Sequence, residues 1–138
     1  MIKFNVNGLG EVKVKASFRG ESRYGEGRLG NTPHFKFQIL IETKNGKAYY
    51  TFHDSYNNWC KGKRTLGKRE LCNAVDAILS DIYDYINDEI DGIYDDPKDI
   101  ERVEKALKTS YNSLQRIVGD SSIDEFNDAF VEYDNNNN

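Results

Sequence analysis

Apolar and polar positions alternate along the first third of the chain and then change to a helical rhythm. Ile2-Lys3-Phe4-Asn5-Val6 alternates, Asn7-Gly8 follows as a turn, and Val12-Lys13-Val14-Lys15-Ala16 alternates again, which predicts a hairpin. Phe35-Lys36-Phe37-Gln38-Ile39 runs into Leu40-Ile41, and Tyr49-Tyr50-Thr51-Phe52 answers it across Asn45-Gly46. That dipeptide is the strongest hairpin signal in the chain, because a type I′ turn requires positive φ at both central residues. Residues 19–33 are rich in Gly and Arg without apolar periodicity, and they read as a long mobile loop.

From Leu71 the apolar residues recur every three or four positions: Val75, Ile78, Leu79, Ile82, Ile86 and Ile90. They predict a long helix stopping near Gly92. Asp96-Pro97 opens a second long helix with proline at its first position, Ile100, Val103, Leu107, Leu114 and Ile117 on its buried face, and Gly119 past its end. Ser122 with Glu125 forms a capping box for a short third helix carrying Ile123, Phe126 and Phe130. Strands first and helices after give an α+β fold: one domain over residues 1–133, with sheet in 1–58, helices in 66–133, and a frayed polar tail at 134–138.

Length and composition narrow the class. The 138 residues are 38% hydrophobic and 30% charged, a profile of one globular domain. The longest apolar run is Ile39-Leu40-Ile41, far below the roughly 20 residues of a membrane span, and the first residues lack the apolar region of a secretory signal. Cys60 and Cys72 make no disulfide framework, so free thiols and a cytoplasmic location are expected.

The charge is unevenly placed. Residues 1–72 hold 14 Lys/Arg against 6 Asp/Glu, a balance of +8, whereas residues 73–138 hold 5 against 17, a balance of −12. Asp81, Asp84, Asp88 and Asp91 fall at spacings of 3, 4 and 3, which would project all four from one side of the first helix. Their charges would stand about 5 Å apart, a sparser version of the one charge per ~3.4 Å along a DNA strand. Asp95 prolongs the acidity, and no Lys or Arg occurs between Arg69 and Lys98. Such a stripe reads either as a solvated face or as a nucleic-acid mimic that enters a basic channel on a partner.

A second cluster has the opposite sign. Lys61, Lys63, Arg64, Lys68 and Arg69 follow Trp59, and cations beside an aromatic ring can grip phosphate and stack a base. The bland alternative is a solvated approach to the helix with Trp59 in the core. Gly25-Glu26-Gly27-Arg28-Leu29-Gly30 matches G-x-G-x-x-G, but no helix pattern follows it, so it reads as a flexible loop. His53-Asp54-Ser55 places triad residue types side by side on a strand, where neighbours face opposite ways. No catalytic, cofactor or metal set is expected.

Residues 50–58, Tyr50-Thr51-Phe52-His53-Asp54-Ser55-Tyr56-Asn57-Asn58, then Lys61-Gly62-Lys63, resemble a T-F-x-D-S-x-x-N strand exit and G-K turn. That pattern belongs to small accessory proteins of Gram-positive phages and mobile elements. The resemblance runs over about residues 35–133, with Tyr111 and Leu114 matching in a later helix and Asp88–Asp99 replacing an aromatic stretch. It implies a mobile-element accessory protein, a population that includes anti-CRISPR inhibitors. The expected function is therefore a non-enzymatic inhibitor that binds a host nucleic-acid-handling defence complex such as a CRISPR effector through Asp81, Asp84, Asp88, Asp91 and Asp95. The alternative is a small nucleic-acid-binding protein using Trp59 to Arg69.

Overall fold

The computed structural model describes residues 1–24, 32–55, 63–90, 92 and 94–137. Four strands, β1 (Ile2–Val6), β2 (Gly10–Tyr24), β3 (Thr32–Thr43) and β4 (Gly46–Ser55), form one antiparallel meander in the order β1-β2-β3-β4. Three helices follow: α1 (Lys68–Ile86), α2 (Pro97–Val118) and α3 (Ile123–Asn136). The α+β reading and its strands-then-helices order hold. None of these helices is long and apolar enough to cross a membrane.

The alternation does what a period of two must do: it gives the sheet one apolar face. Ile2 pairs Val14, which pairs Ile41, which pairs Ala48, and all four are buried. A second buried row crosses Ile39 and Tyr50, and a third joins Phe37 to Phe52 with Phe18 packed against it. The helices cover this face. α3 lies along β1, with Phe4 5.4 Å from Phe126 edge-on and 5.9 Å from Phe130. α2 packs on β4 and against α1, whose Leu71, Val75, Ile78, Leu79 and Ile82 are buried in the same core.

The strands run further than their apolar pattern. β2 continues to Tyr24 and β3 begins at Thr32, so residues 20–24 and 32–33 are ladder rather than loop. Backbone pairing needs no apolar side chain, and a bulge between Phe18 and Gly20 absorbs the change of register there. Residues 25–31, with the G-x-G-x-x-G segment, lie outside the described residues.

The Asn45-Gly46 turn is also displaced by one residue. Thr43 pairs with Gly46, leaving Lys44 and Asn45 as the loop, and Gly46 takes φ 135° while Asn45 stays in the negative-φ region. A type I′ turn is therefore absent from this hairpin. The physical reason is that the side chains at its tip are engaged elsewhere. Thr43 Oγ1 accepts from the Asn45 backbone N–H at 3.1 Å and donates to the Ile117 carbonyl, to which Asn45 Nδ2 also donates at 3.2 Å. Carbonyls in the last turn of a helix lack intrahelical partners, and here the hairpin supplies them.

The clamp has further contacts. Arg116 donates to the Lys47 carbonyl at 2.8 Å, and Ser121 Oγ to the Asn7 carbonyl at 3.4 Å, so both hairpin tips hold the α2–α3 turn. Gly119 sits in that turn at φ 63°, where a Cβ would lie 2.4 Å from Asn45 Nδ2. The other two helix starts behave as expected. Asp96 caps α2 by accepting from the Lys98 N–H at 2.9 Å, and Ser122 caps α3 by accepting from that of Glu125 at 2.9 Å.

The third helix is longer than its apolar pattern. It has 14 residues, and Asp134 to Asn136 are its last turn rather than a frayed tail.

Gly119→Ala should cost about 1–3 kcal/mol, combining left-handed backbone strain with loss of the Asn45 contact. Gly10→Ala, at φ 93° with nothing within 4 Å, should cost only the backbone part. Thermal unfolding of both variants checks this, and equal melting temperatures would remove the clamp from the account.

Candidate functional site

The acidic stripe does not survive as a straight line. α1 ends at Ile86, and the chain turns with Asp88 at φ 54°, the one non-glycine residue with positive φ among those described. The Asp88 N–H donates to the Tyr85 carbonyl at 3.5 Å and that of Glu89 to the Asp84 carbonyl at 3.0 Å. This is a Schellman ending, with aspartate in the place that glycine usually takes. Asp and Asn tolerate the left-handed region better than other side chains, so Asn87-Asp88 stops the helix before Gly92 can.

Of the expected set, Asp81 and Asp84 project from α1, whereas Asp88 lies past its end. Asp91 lies outside the described residues, and Asp95 is exposed in the segment before α2. Ile90 turns back and is buried.

Asp81 stands at the mouth of a recess lined by Tyr49, Tyr50, Thr51, Ile78 and Ser110. Partial shielding there, and then the charge of Asp84, hold its carboxyl above the usual aspartate value. Acids also arrive from a second element. Tyr83 of α1 donates a 2.5 Å hydrogen bond to Asp124 of α3. Burial, that bond, and the charges of Asp124 and Asp128 raise the Tyr83 hydroxyl well above its ordinary value.

Among the helices α3 is thus as acidic as α1, whereas α2 between them in sequence holds five Lys/Arg against three carboxylates. Asp124, Asp128 and Glu132 recur every four residues, and no Lys or Arg follows Arg116. The cation-free stretch is a signal in the sequence that the apolar positions Ile123, Phe126 and Phe130 do not carry.

The basic segment is dispersed. Trp59 and Lys61 lie outside the described residues. Arg64 is tied down, 3.5 Å from Glu21 and with its guanidinium 5.5 Å from the centre of the Phe18 ring. Lys63, Lys68 and Arg69 are exposed, the last two in the first turn of α1. Arg69 lies within electrostatic reach of Cys72 and Asp76.

Burial first, then the charge and hydrogen bond of Asp134 and the charge of Asp76, push the Cys72 thiol up to about 11 against the opposing influence of Arg69. A thiol held protonated in this way is a poor nucleophile at neutral pH. The contact also explains why the end of α3 is ordered: Asp134 and Tyr133 pack beside Cys72.

His53 and Asp54 occupy opposite faces of β4, His53 exposed and Asp54 buried. Among the described residues no three His, Cys, Asp or Glu side chains come together as metal ligands would.

A feature that motif reading missed is the uncovered face of the sheet. Cross-strand pairing puts Lys3, Lys13, Lys15, Lys36 and Lys47 on it, and Arg19 joins them at the bulge with its guanidinium on Gln38. Only the strand register reveals that these lysines share a face, although their alternation with apolar residues was the available signal.

Asp81→Asn should raise the melting temperature at pH 7 by about 1–2 °C, because it removes a partly shielded charge and, with it, the repulsion from Asp84. The sign follows from linkage: an acid whose folded value is raised destabilises the fold when ionised. The gain should therefore hold above the folded value, shrink as pH falls through it, and vanish near the ordinary value of 3.8. A gain that persists at pH 3 would contradict this origin.

Comparison with protein-family models, with curated proteins and with solved structures gives no match, so the functional reading rests on the residues and their placement.

Proposed function

We propose that this chain is a non-enzymatic inhibitor of phage or mobile-element origin that acts in the host cytoplasm. It binds a nucleic-acid-handling defence complex, of the anti-CRISPR kind, and presents its acidic helical side to a basic groove. The observation that supports this most is the crowding of acids on two helices, Asp81 beside Asp84 on α1, and Asp124 and Asp128 of α3 about Tyr83. Carboxylates three or four residues apart on one helix repel one another at a cost of a few tenths of a kcal/mol per pair. A groove lined with Lys and Arg relieves that repulsion on binding and steers the encounter at low salt.

The test is affinity capture from a Gram-positive host lysate with nuclease present, followed by a binding assay on the purified complex. Asp81→Lys/Asp84→Lys and Asp128→Lys/Glu132→Lys should each weaken binding at least about tenfold at 50 mM salt and slow association more than they speed dissociation. Recovery of a nuclease-resistant complex with unchanged affinity for both variants would refute the acidic surface. Circular dichroism of the variants checks that the fold is intact.

A further inference from the structure

We propose that the uncovered face of the sheet is a binding surface for single-stranded nucleic acid, formed by lysines on all four strands around Tyr49. This inference is separate from the acidic helical reading, since its lysines lie on the opposite side of the sheet; Tyr49, on edge strand β4, also borders the recess that Asp81 lines.

The face is built by register. One cross-strand row holds Lys3, Lys13, Glu42 and Lys47; the next holds Lys15, Leu40 and Tyr49; the next Ser17, Gln38 and Thr51; and a fourth Gly20, Lys36 and His53, with Ser22 and His34 paired beyond it. With about 6.8 Å between rows and about 4.8 Å between strands, it is a shallow platform roughly 20 Å long. The helices pack on the other side, and most of these side chains are exposed.

The charge is one-sided. Six cations face two carboxylates, and each carboxylate already has a lysine: Glu11 with Lys13 at 3.8 Å and Glu42 with Lys47 at 3.4 Å. Lys3, Lys15 and Lys36 have no acidic partner among the described residues. A local field of this sign attracts polyanions although the whole chain carries −4.

Tyr49 narrows the class of polyanion. It is 55% exposed, flanked across the strands by Leu40 and then Lys15, so an aromatic ring stands on an apolar and cationic floor. An exposed ring within a basic platform is the arrangement on which unpaired bases stack while lysines track the backbone. Base pairs in a duplex keep their faces buried against one another, and reading a duplex groove takes an inserted helix or ribbon rather than a flat face. Gln38 and Thr51 add neutral hydrogen-bonding groups in the row beyond.

Fluorescence anisotropy of a labelled 20-mer of deoxythymidine, at pH 7 between 50 and 200 mM NaCl, tests the proposal. Four or five phosphate contacts predict a Kd of roughly 1–100 µM and a slope of about −3 in log affinity against log salt. Lys15→Glu/Lys36→Glu should weaken binding at least about tenfold and make the slope shallower by about 1.4. Tyr49→Ala should weaken it about five- to a hundredfold with the slope unchanged. Asp128→Asn/Glu132→Gln should stay within about twofold, which separates this face from the acidic one.

Absence of binding at 50 mM salt would overturn the proposal. So would loss of affinity in Lys63→Glu/Lys68→Glu with the sheet variants unaffected, since that would place the contact on the approach to α1. Displacement by polyglutamate as effective as by unlabelled DNA would overturn the nucleic-acid assignment in favour of any acidic chain. Capture of the host complex by Lys15→Glu/Lys36→Glu tells the two readings apart: retained capture with lost DNA binding confines the failure to one face.

Discussion

The carbonyl of Ile117 is where the two halves of the molecule are joined. A helix ends with carbonyls that find no partner within it, and burying them unsatisfied costs about 1–3 kcal/mol each. Here Thr43 Oγ1 and Asn45 Nδ2 meet that oxygen from the tip of the β3–β4 hairpin. Thr43 is one of two buried polar side chains among the described residues, and this bond accounts for its place. Because Ser121 Oγ donates in the opposite sense, to the Asn7 carbonyl of the β1–β2 tip, the turn from α2 to α3 is gripped by both hairpins, and Gly119 is needed where Asn45 closes on it.

The grip decides which face of the sheet is covered. With α2 held over β4 and α3 over β1, the apolar rows of all four strands are sealed beneath one helical layer. The polar rows are left in water. Since the uncovered face holds six cations against two carboxylates, and α1 with α3 holds nine carboxylates against two cations, covering one face separates these charges: basic sheet on one side, acidic α1 and α3 on the other. The imbalance between the chain halves, +8 against −12, is in part gathered onto these two surfaces. One structural joint thereby produces both candidate interfaces.

How much of this is legible in the sequence depends on whether the deciding contact is local. Alternation at Phe35–Ile41 and the three-and-four spacing from Leu71 report burial directly, so the strand order and helix faces follow from them. Asp96-Pro97 and Ser122 act within one turn, and α2 and α3 start where those residues place them. The displaced turn at Asn45 is different, because its geometry is set by Ile117, 72 residues away. The end of α3 is likewise held by Cys72 rather than by its own polar sequence. The stripe through Asp88 failed for a local reason that spacing alone cannot see: Asn87-Asp88 can adopt the backbone that ends a helix. The lysine face was written in the strands all along, but alternation states only that residues share a side of one strand. Register across four strands is what gathers them.

Separation of charge between two faces is the claim on which the functional account depends, and ion-exchange chromatography at pH 7 and 50 mM salt tests it most directly. A protein with pI near 5.2 and evenly mixed charge binds an anion exchanger and passes through a cation exchanger. The two-faced molecule described here should be retained on both resins, and Lys15→Glu/Lys36→Glu should abolish retention on the cation exchanger alone. Passage of the wild-type chain through the cation exchanger without delay would contradict the account.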